Sequence, residues 1–424
     1  MPGLADIVQT VDSLGAAISI GGRTLLSLDT NPVPSGWSHI TKVDPEEEKQ
    51  LPLAYPLYLS HTSAVSVGGS RDVTEQNTAE TFDILAGLDV PAFHEPSEAT
   101  HVTEEIRDRA AFMAVPEVLN GDSESLVGTL GKGVEHIKED VGPGLIRDKL
   151  PLPLGDAIEG RLSNFAAAWL LHEAVFEAYI IMNVDSAAAR EANVTEDDLL
   201  SPREAKQHAM AAETHLESEV IYLEYSGTFG GDEAVDILEE VTDGISWSRL
   251  WYGGGLDNRE NAQAVIDAGA DAVIVGNVFH DVAEEEAELA AAAAEELDAD
   301  ADRETIRAWV DDAVDVAETA AASYLSTIVS VPDPEQRAAR YLTAGIETYL
   351  GLQELAAGIT DPDAATLRNA VSNNPIPGES QFADVLSEGA ATDVAESLAL
   401  SLLAERFDVE LADGIAAHHV AVEL

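Results

Sequence analysis

The sequence contains no cysteine, few basic residues and no long uninterrupted apolar run. Without cysteine, the chain has no disulfide framework, no thiolate metal site and no cysteine nucleophile. Residues 1–20 carry no basic group before their apolar stretch, which is not the pattern of a signal peptide. The most apolar segment, residues 166–182, is interrupted by His172, Glu173 and Glu177, which argues against a membrane-spanning helix. We therefore expect a cytoplasmic protein without an integral membrane segment.

The shortage of basic residues is extreme, because 22 Lys and Arg accompany 79 Asp and Glu, a formal net charge of -57. Such a surface repels nucleic acid and anionic lipid at low salt, so we expect no nucleic-acid partner. Acid-rich chains are often disordered, but 46% hydrophobic residues with clear strand and helix patterns favour a folded protein. In multimolar salt the Debye length falls to about 3 Å, which screens the self-repulsion. The composition therefore predicts a halophilic host.

Eight short β-rich runs, most of them separated by amphipathic helical patterns, organise the first two thirds of the chain. They occupy residues 38–44, 63–69, 90–96, 111–117, 178–184, 220–226, 249–255 and 272–277. Alternating strands and helices predict an α/β protein with a parallel sheet, and eight units predict a (β/α)8 TIM-type barrel. Too few residues separate the third and fourth runs for a normal third helix. The next connection, by contrast, has room for two or three helices.

The composition changes after the last barrel helix, at the acidic, alanine-rich linker 298–304. Helical periodicity without a recognisable catalytic pattern then continues to the end of the sequence. We predict three parts: an N-terminal extension of residues 1–35 with a short helix and a loop, a barrel of residues 36–298, and an all-α C-terminal domain of residues 299–424.

Polar residues occur at the carboxyl ends of the predicted strands, where barrels of this kind build their active sites. Residues two apart on a strand point to the same side. We therefore expect Lys42 and Asp44 to share one side of their strand, and Tyr222, Glu224 and Ser226 to share one side of theirs. Burying a carboxylate such as Glu224 at the end of an apolar strand costs desolvation free energy, so a role in packing alone does not explain it. The other strand-end candidates are Gly68, Gly69, Ser70, Glu95, Glu117, Asn120, Asn183 and Asp185.

Glycines follow the last two predicted strands, as Gly253-Gly254-Gly255 and Gly276-Asn277. Barrel phosphate sites are frequently formed by these two loops, where bare backbone N–H groups and a helix start face the anion. Three glycines alone could equally form a flexible turn. Because a second glycine follows the next strand, the pair favours a phosphate site.

Several of these residues also allow structural interpretations. Asp44 could cap a turn before a proline, or it could bind Mg²⁺, which takes one or two carboxylates plus phosphate oxygens. Lys42 would supply a compact cation for the same anions. Glu224 could form a structural salt bridge to Lys42 across the barrel. The neighbours His94 and Glu95 point to opposite faces of a strand, which disfavours a metal pair.

Six motifs, KVDP, VGGSRDVT, VPEVLN, YLEYSG, WYGGG and VIVGN, occur together in this order over residues 36–298. In this set the chain resembles the geranylgeranylglyceryl phosphate synthase family, with its heptaprenylglyceryl phosphate synthase branch. The resemblance implies an Mg²⁺-dependent prenyltransferase that moves a geranylgeranyl or longer group from its diphosphate to the 3-hydroxyl of sn-glycerol 1-phosphate. This is the first ether-bond step of archaeal-type membrane phospholipid biosynthesis. The family barrel also has a modified third helix.

The resemblance further implies roles for individual residues. Asp44 and Ser70 would hold Mg²⁺. We predict Glu224 and Lys42 as the catalytic residues. We interpret Glu224 as the group that orients the acceptor hydroxyl and accepts its proton. The residues implied in glycerol phosphate binding are Lys42, Tyr222, Leu223, Glu224, Tyr225, Ser226, Gly227, Gly255, Gly276 and Asn277.

The prenyl donor needs a long apolar groove, for which residues 125–137 are the predicted wall. Family members limit chain length with a bulky residue here, whereas this chain has Gly133, which leaves a longer donor open. A homo-oligomer and peripheral membrane contact for product release are compatible with such a barrel. Two alternatives remain: an isomerase or lyase that acts on a phosphate substrate, and a non-catalytic barrel with a partner-binding helical tail.

Overall fold

The structure is a computed structural model. It describes residues 28–46, 51–69, 72–141, 156–411, 422 and 424. In this part of the chain, parallel strands form one eight-stranded sheet in the order β3-β2-β1-β8-β7-β6-β5-β4. The strands are β1 His39–Val43, β2 Ala64–Val67, β3 Ala92–His94, β4 Ala114–Val118, β5 Val175–Ile181, β6 Val220–Glu224, β7 Arg249–Gly253 and β8 Ala272–Val275. β1 pairs with β8, and a parallel bridge between His94 and Met113 joins the β3 and β4 edges. The predicted barrel is therefore confirmed in nearly closed form.

One strand lies earlier than the sequence predicted. β5 spans Val175–Ile181 rather than residues 178–184, because the preceding helix ends at His172. Glu177 appeared in the sequence as a polar interruption of an apolar helix, but it lies within the strand and is 1% exposed. Because this carboxyl interrupts the apolar pattern, the sequence alone placed the start of the strand too late.

Helices connect the strands on the outside of the barrel. They are α1 Tyr55–Leu59, α2 Glu75–Leu85, α3 Glu104–Arg109, α4 Thr129–His136, α5 Asp156–His172, α6 Ala187–Glu191, α7 Pro202–Ala211, α8 Gly231–Thr242, α9 Arg259–Asp267 and α10 Asn277–Glu296. The short third connection is confirmed, since α3 has only six residues. The long connection after β4 holds α4 and α5, with π-helical turns on both sides of α4. Among the described residues, no helix is long and apolar enough to cross a membrane.

Side-chain caps define where several of these helices begin. Thr74 accepts a hydrogen bond from the Asn77 amide at 3.2 Å, and the Asn77 side chain accepts one from the Thr74 amide at 2.7 Å. This capping box satisfies two of the N–H groups left unpaired at the start of α2. Asn258 caps α9 in a simpler way, accepting from the Asn261 amide at 2.9 Å. The cap therefore fixes the first turn of the helix that follows the GGG loop.

Aromatic rings close the barrel at the amino ends of its strands. Trp37, Phe93 and Phe112 stack on one another with ring centroids 4.8 to 6.0 Å apart. The preceding segment is tied to the strand ends, because Arg249 binds Asp29 at 2.6 Å. The barrel floor is thus a packed apolar layer, and its open end lies at the carboxyl ends of the strands. Of the predicted N-terminal extension, residues 1–27 lie outside the described residues.

A helical region follows the barrel and packs against it. Its helices are α11 Arg303–Ala313, α12 Ala320–Thr327, α13 Pro334–Ala357, α14 Ala364–Asn373, α15 Glu379–Phe382 and α16 Glu388–Phe407. Helices α12 and α13 both pack on α10, and one apolar core runs continuously from the barrel into this region. We call residues 303–407 the C-terminal helical region.

Candidate active site

A layer of polar side chains fills the barrel interior above the apolar floor. Interior positions alternate along each strand with positions that face the surrounding helices. In β1, for example, Ile40 packs in the interior while Thr41 contacts the C-terminal helical region. The polar layer consists of Lys42, Ser66, Glu95, Glu177, Tyr179, Tyr222 and Glu224.

Lys42 and Glu95 form the charged centre of this layer. The Lys42 Nζ donates to Glu95 Oε1 at 3.2 Å and to Oε2 at 3.3 Å. Ser66 and Tyr179 also donate to this carboxylate, at 3.0 and 2.7 Å. Burial lowers the pKa of Lys42, but the carboxylates of Glu95, Asp44 and Glu224 outweigh it and raise the pKa above its ordinary value. Lys42 is therefore a permanent cation, and 30% of its side chain remains exposed to the cleft.

Glu177 lies on β5 two residues before Tyr179, and so its side chain lies deeper in the interior. Burial, together with the neighbouring Glu95 carboxylate, raises the pKa of Glu177 well above its usual range. Its Oε2 has no hydrogen-bond partner among the described residues. A charged carboxylate in this position would be costly, so the surroundings of Glu177 favour its protonated form.

Glu224 stands at the end of β6 on the opposite side of the interior and is 3% exposed. Its Oε1 accepts from the Ser226 amide at 3.0 Å, and the Tyr222 hydroxyl also donates to its carboxylate. Burial raises the pKa of Glu224, while the bonds from Ser226 and the charge of Lys42 oppose this shift. The predicted alternative of a salt bridge to Lys42 is wrong, because Lys42 pairs with Glu95 instead.

Glycine loops form the rim above Glu224. Gly254 and Gly255 have φ values of +156° and +45°, and a Cβ on Gly255 would lie 2.8 Å from the Thr228 Cα. The β7–α9 loop therefore packs directly on the β6–α8 loop, an approach that only glycine permits. Across the mouth, Gly276 precedes α10 and supplies no side-chain cap. The first N–H groups of this long helix are therefore available to an anion in the cleft.

One cleft of about 1420 Å³ contains both a polar and an apolar end. The glycine loops, Asn277 and Lys42 line the polar end. Apolar side chains from β4, α4, the π-helical turn that follows α4, and α5 line the other end, and they include Val115, Val118, Leu130, Ile137, Leu170 and Leu171. Gly133 also lines this groove, as the sequence predicted for the wall of a prenyl site. The cleft can thus hold a phosphate group and a long hydrocarbon chain at once.

Asp44 is the residue in the cleft that best suits a hard cation. It follows β1, is half-buried and lines the cleft beside Lys42. A Cβ on Gly69 would lie 3.4 Å from its carboxylate, so the loop after β2 passes next to it. One carboxylate fits Mg²⁺, which completes its shell with water and substrate phosphates. No group of three or more potential ligand side chains occurs within the described ranges, and Ser70 lies outside them.

Some predicted residues do not face the cleft. Leu223 and Tyr225 alternate with the interior positions of β6, and the Tyr225 hydroxyl donates to Glu233 at 3.0 Å on the helical side. Glu117 likewise faces outward, with Ser218 at 3.4 Å, and burial raises its pKa to about 7. Asn120, Asn183 and Asp185 do not line the cleft either; Asn183 instead donates to the Ser226 carbonyl at 2.6 Å.

Three interior residues were not assigned a role from the sequence: Ser66, Glu177 and Tyr179. If the fifth strand had been predicted three residues earlier, Glu177 and Tyr179 would have been recognised, because both point into the barrel from β5. The sequence predicts Glu95 at a strand end, but its partners come from β1, β2 and β5 and cannot be inferred without the closed barrel. His94 faces Phe82 outside the barrel, as predicted.

Comparisons with known proteins give a consistent result. The model of the PcrB family matches residues 34–295. The chain is 30% identical over 246 residues to the geranylgeranylglyceryl phosphate synthase of Methanocella arvoryzae, covering 58% of this chain and 90% of that protein. It is 30% identical over 251 residues to the heptaprenylglyceryl phosphate synthase of Bacillus thuringiensis, covering 58% and 92%. The (S)-3-O-geranylgeranylglyceryl phosphate synthase of Thermoplasma acidophilum, solved with sn-glycerol-1-phosphate, is 20% identical, covers 58% and 87%, and gives a TM-score of 0.42.

Proposed function

Because this chain belongs to the PcrB family, we propose that it is a prenyltransferase that acts on sn-glycerol 1-phosphate. It transfers a geranylgeranyl or longer prenyl group from the diphosphate to the 3-hydroxyl, forming the first ether bond of an archaeal-type lipid. The observation that carries this proposal is one cleft that combines a glycine-rimmed polar end, the buried carboxylate of Glu224 and an apolar groove. Two relatives, of which the match covers 90% and 92%, carry names that describe this activity.

The polar end suits the acceptor. The phosphate of sn-glycerol 1-phosphate would bind the backbone N–H groups at Gly255 and at Gly276-Asn277, where no side chain blocks the approach. Lys42 adds a permanent positive charge on the same side of the cleft. The glycerol hydroxyl would then point down towards Glu224, which lies beneath the rim.

Glu224 is the group in this cleft that can accept the hydroxyl proton. As the prenyl C1–oxygen bond breaks, its electron pair leaves with the diphosphate and the glycerol oxygen forms the new ether bond. The hydroxyl proton passes to the Glu224 carboxylate, which the Ser226 amide and the Tyr222 hydroxyl hold in place. Burial raises the pKa of Glu224 and makes it a stronger base than an exposed glutamate. Activity should therefore decrease as the pH falls through this raised pKa, at a higher pH than for an ordinary glutamate.

The apolar groove suits the donor, with its diphosphate directed towards Asp44. Mg²⁺ bound at Asp44 would neutralise the charge that develops on the leaving diphosphate. Asp44 lines the cleft together with Lys42, which supports this role, and Ser70 would be the second protein ligand of the ion. The net charge of -57 further supports activity in multimolar salt.

A product assay tests the proposal. Purified protein in multimolar KCl with Mg²⁺ and sn-glycerol 1-phosphate would receive a series of prenyl diphosphates, and mass spectrometry would identify the products. We expect a prenylglyceryl phosphate whose mass names the donor and which is not formed in EDTA. No product from any donor, while circular dichroism shows a folded protein in the same salt, would contradict the proposal.

Glu224→Gln tests the assigned base directly. The amide keeps the shape of the side chain but cannot accept the proton, so turnover should fall by about 10²–10⁴-fold. Glu233→Gln is the matched control, because Glu233 accepts a hydrogen bond from Tyr225 outside the cleft. Near-normal turnover in Glu224→Gln, or an equal loss in the control, would remove Glu224 from this role.

A further inference from the structure

The C-terminal helical region lies beyond the part of the chain that the family model matches, yet it is closely joined to the barrel. Tyr324 donates to or accepts from Thr41 at 2.8 Å, and Thr327 pairs with His39 at 3.1 Å. All four side chains are at most 2% exposed. The helices thus back the outer face of β1, the strand that carries Lys42 on its inner face.

An aromatic cluster strengthens the same contact. Tyr58 of α1 lies edge-on to Phe279, Tyr324 and Tyr341, with ring centroids 5.2 to 6.5 Å apart. The Tyr341 hydroxyl also bonds to His61 at 2.7 Å. Aromatic pairs with this geometry stabilise beyond the area they bury. The contact is therefore a permanent part of the fold rather than a loose association of two units.

The C-terminal helical region also reaches the cleft itself. Glu318, Ala320 and Ser323, at and before α12, line the cleft together with Asn277 and His280 of α10. These residues lie at the polar end, opposite the apolar groove. The wall at the phosphate end is thus built from both the barrel and the added helices.

Arg259 connects this wall to the glycine loop. It is the first residue of α9, which begins four residues after Gly255. Its guanidinium donates to the carbonyls of Val329 at 2.6 Å and Val331 at 2.5 Å, just after α12. Two bonds from one planar group to two backbone carbonyls fix its orientation as well as its distance. Gly254 and Gly255 in the loop have wide backbone freedom, so an anchor at the helix start restricts the loop.

We propose that Arg259 is a positioning residue through which the C-terminal helical region holds the β7–α9 loop in the geometry that binds the acceptor phosphate. This inference rests on the proposed function for the identity of the acceptor. The added helices are then part of the binding site and not a separate module. Loss of the anchor should weaken acceptor binding while leaving the donor groove and Glu224 intact.

Calorimetry of the full chain in multimolar KCl tests this inference, with sn-glycerol 1-phosphate and inorganic phosphate as probes. We expect Arg259→Gln to raise the Kd for both probes about tenfold, with Arg259→Lys intermediate. The KM for the acceptor should rise in parallel, whereas kcat and the KM for the prenyl diphosphate stay unchanged. Arg303→Gln is the control, because Arg303 pairs with Glu347 within the helical region and away from the loop.

A measurement on the unaltered protein gives an independent result. Inorganic phosphate should slow hydrogen exchange in residues 253–258 and also in residues 328–331, because the anchor links the two segments. Unchanged Kd values in a folded Arg259→Gln variant would overturn the inference, as would a wild type that binds neither probe. Protection of the loop without protection of residues 328–331 would overturn it too. Failure of the proposed function would give a different result: the wild type would bind the probes but would not form a prenyl ether.

Discussion

Gly253→Ala is expected to damage the site through a single added carbon. A Cβ at this position would lie 2.7 Å from both Cε2 and Cζ of Tyr222, and closer still to its hydroxyl oxygen. Carbon atoms in good contact are about 3.5–4.0 Å apart, so the ring must move by roughly 1 Å. It cannot move freely, because Tyr179 lies with its ring centroid 4.4 Å away on the other side.

The displaced ring carries the hydroxyl that donates to Glu224. A misplacement of about 1 Å in a catalytic arrangement can cost about 10²-fold in rate, and we expect a loss of kcat of this size. Overpacking should also lower the free energy of unfolding by about 1–3 kcal/mol. Steady-state kinetics and urea unfolding in multimolar KCl would measure the two effects separately.

Two further variants make the experiment decisive. Gly389→Ala is the control, since a Cβ there meets nothing within 4 Å. In Tyr222→Phe the bond to Glu224 is already lost, so adding Gly253→Ala should cause little further loss of activity. Wild-type kcat for Gly253→Ala alone would refute the reasoning, because it would show that the position of Tyr222 does not matter to the reaction.

Two other predictions concern the core and the donor groove. Burial raises the pKa of Glu286 to about 8, so the folded state binds a proton more tightly than the unfolded state and stability falls as pH rises from 4.5 to about 8. Glu286→Gln should remove a slope of about 1.4 kcal/mol per pH unit in urea unfolding measured across this range, and an unchanged slope would contradict the assignment. Gly133→Trp should shorten the longest prenyl diphosphate accepted in the product assay, and an unchanged chain-length profile would place the limit elsewhere.

The predicted base and the glycine loops are the part of the site that the sequence determined most fully. Period two in β6 placed Tyr222 and Glu224 on one face, and the glycines after the last two strands indicated an anion site. Both inferences rest on local chemistry: alternation within one strand, and the need for bare backbone near a phosphate. The eight strand-helix units likewise predicted the barrel, because periodicity is a property of neighbouring residues.

Only the tertiary structure decided which side chains meet. Glu95 binds Lys42, Ser66 and Tyr179, which lie up to 84 positions away from it in the sequence, and barrel closure alone brings them together. This pairing leaves Glu224 without the salt bridge that the sequence allowed, and so available as a base. Nor does helical periodicity in residues 303–407 indicate that these helices form part of the cleft. Their packing on α10, and the bonds from Arg259 to two backbone carbonyls, depend on long-range geometry that no local pattern contains.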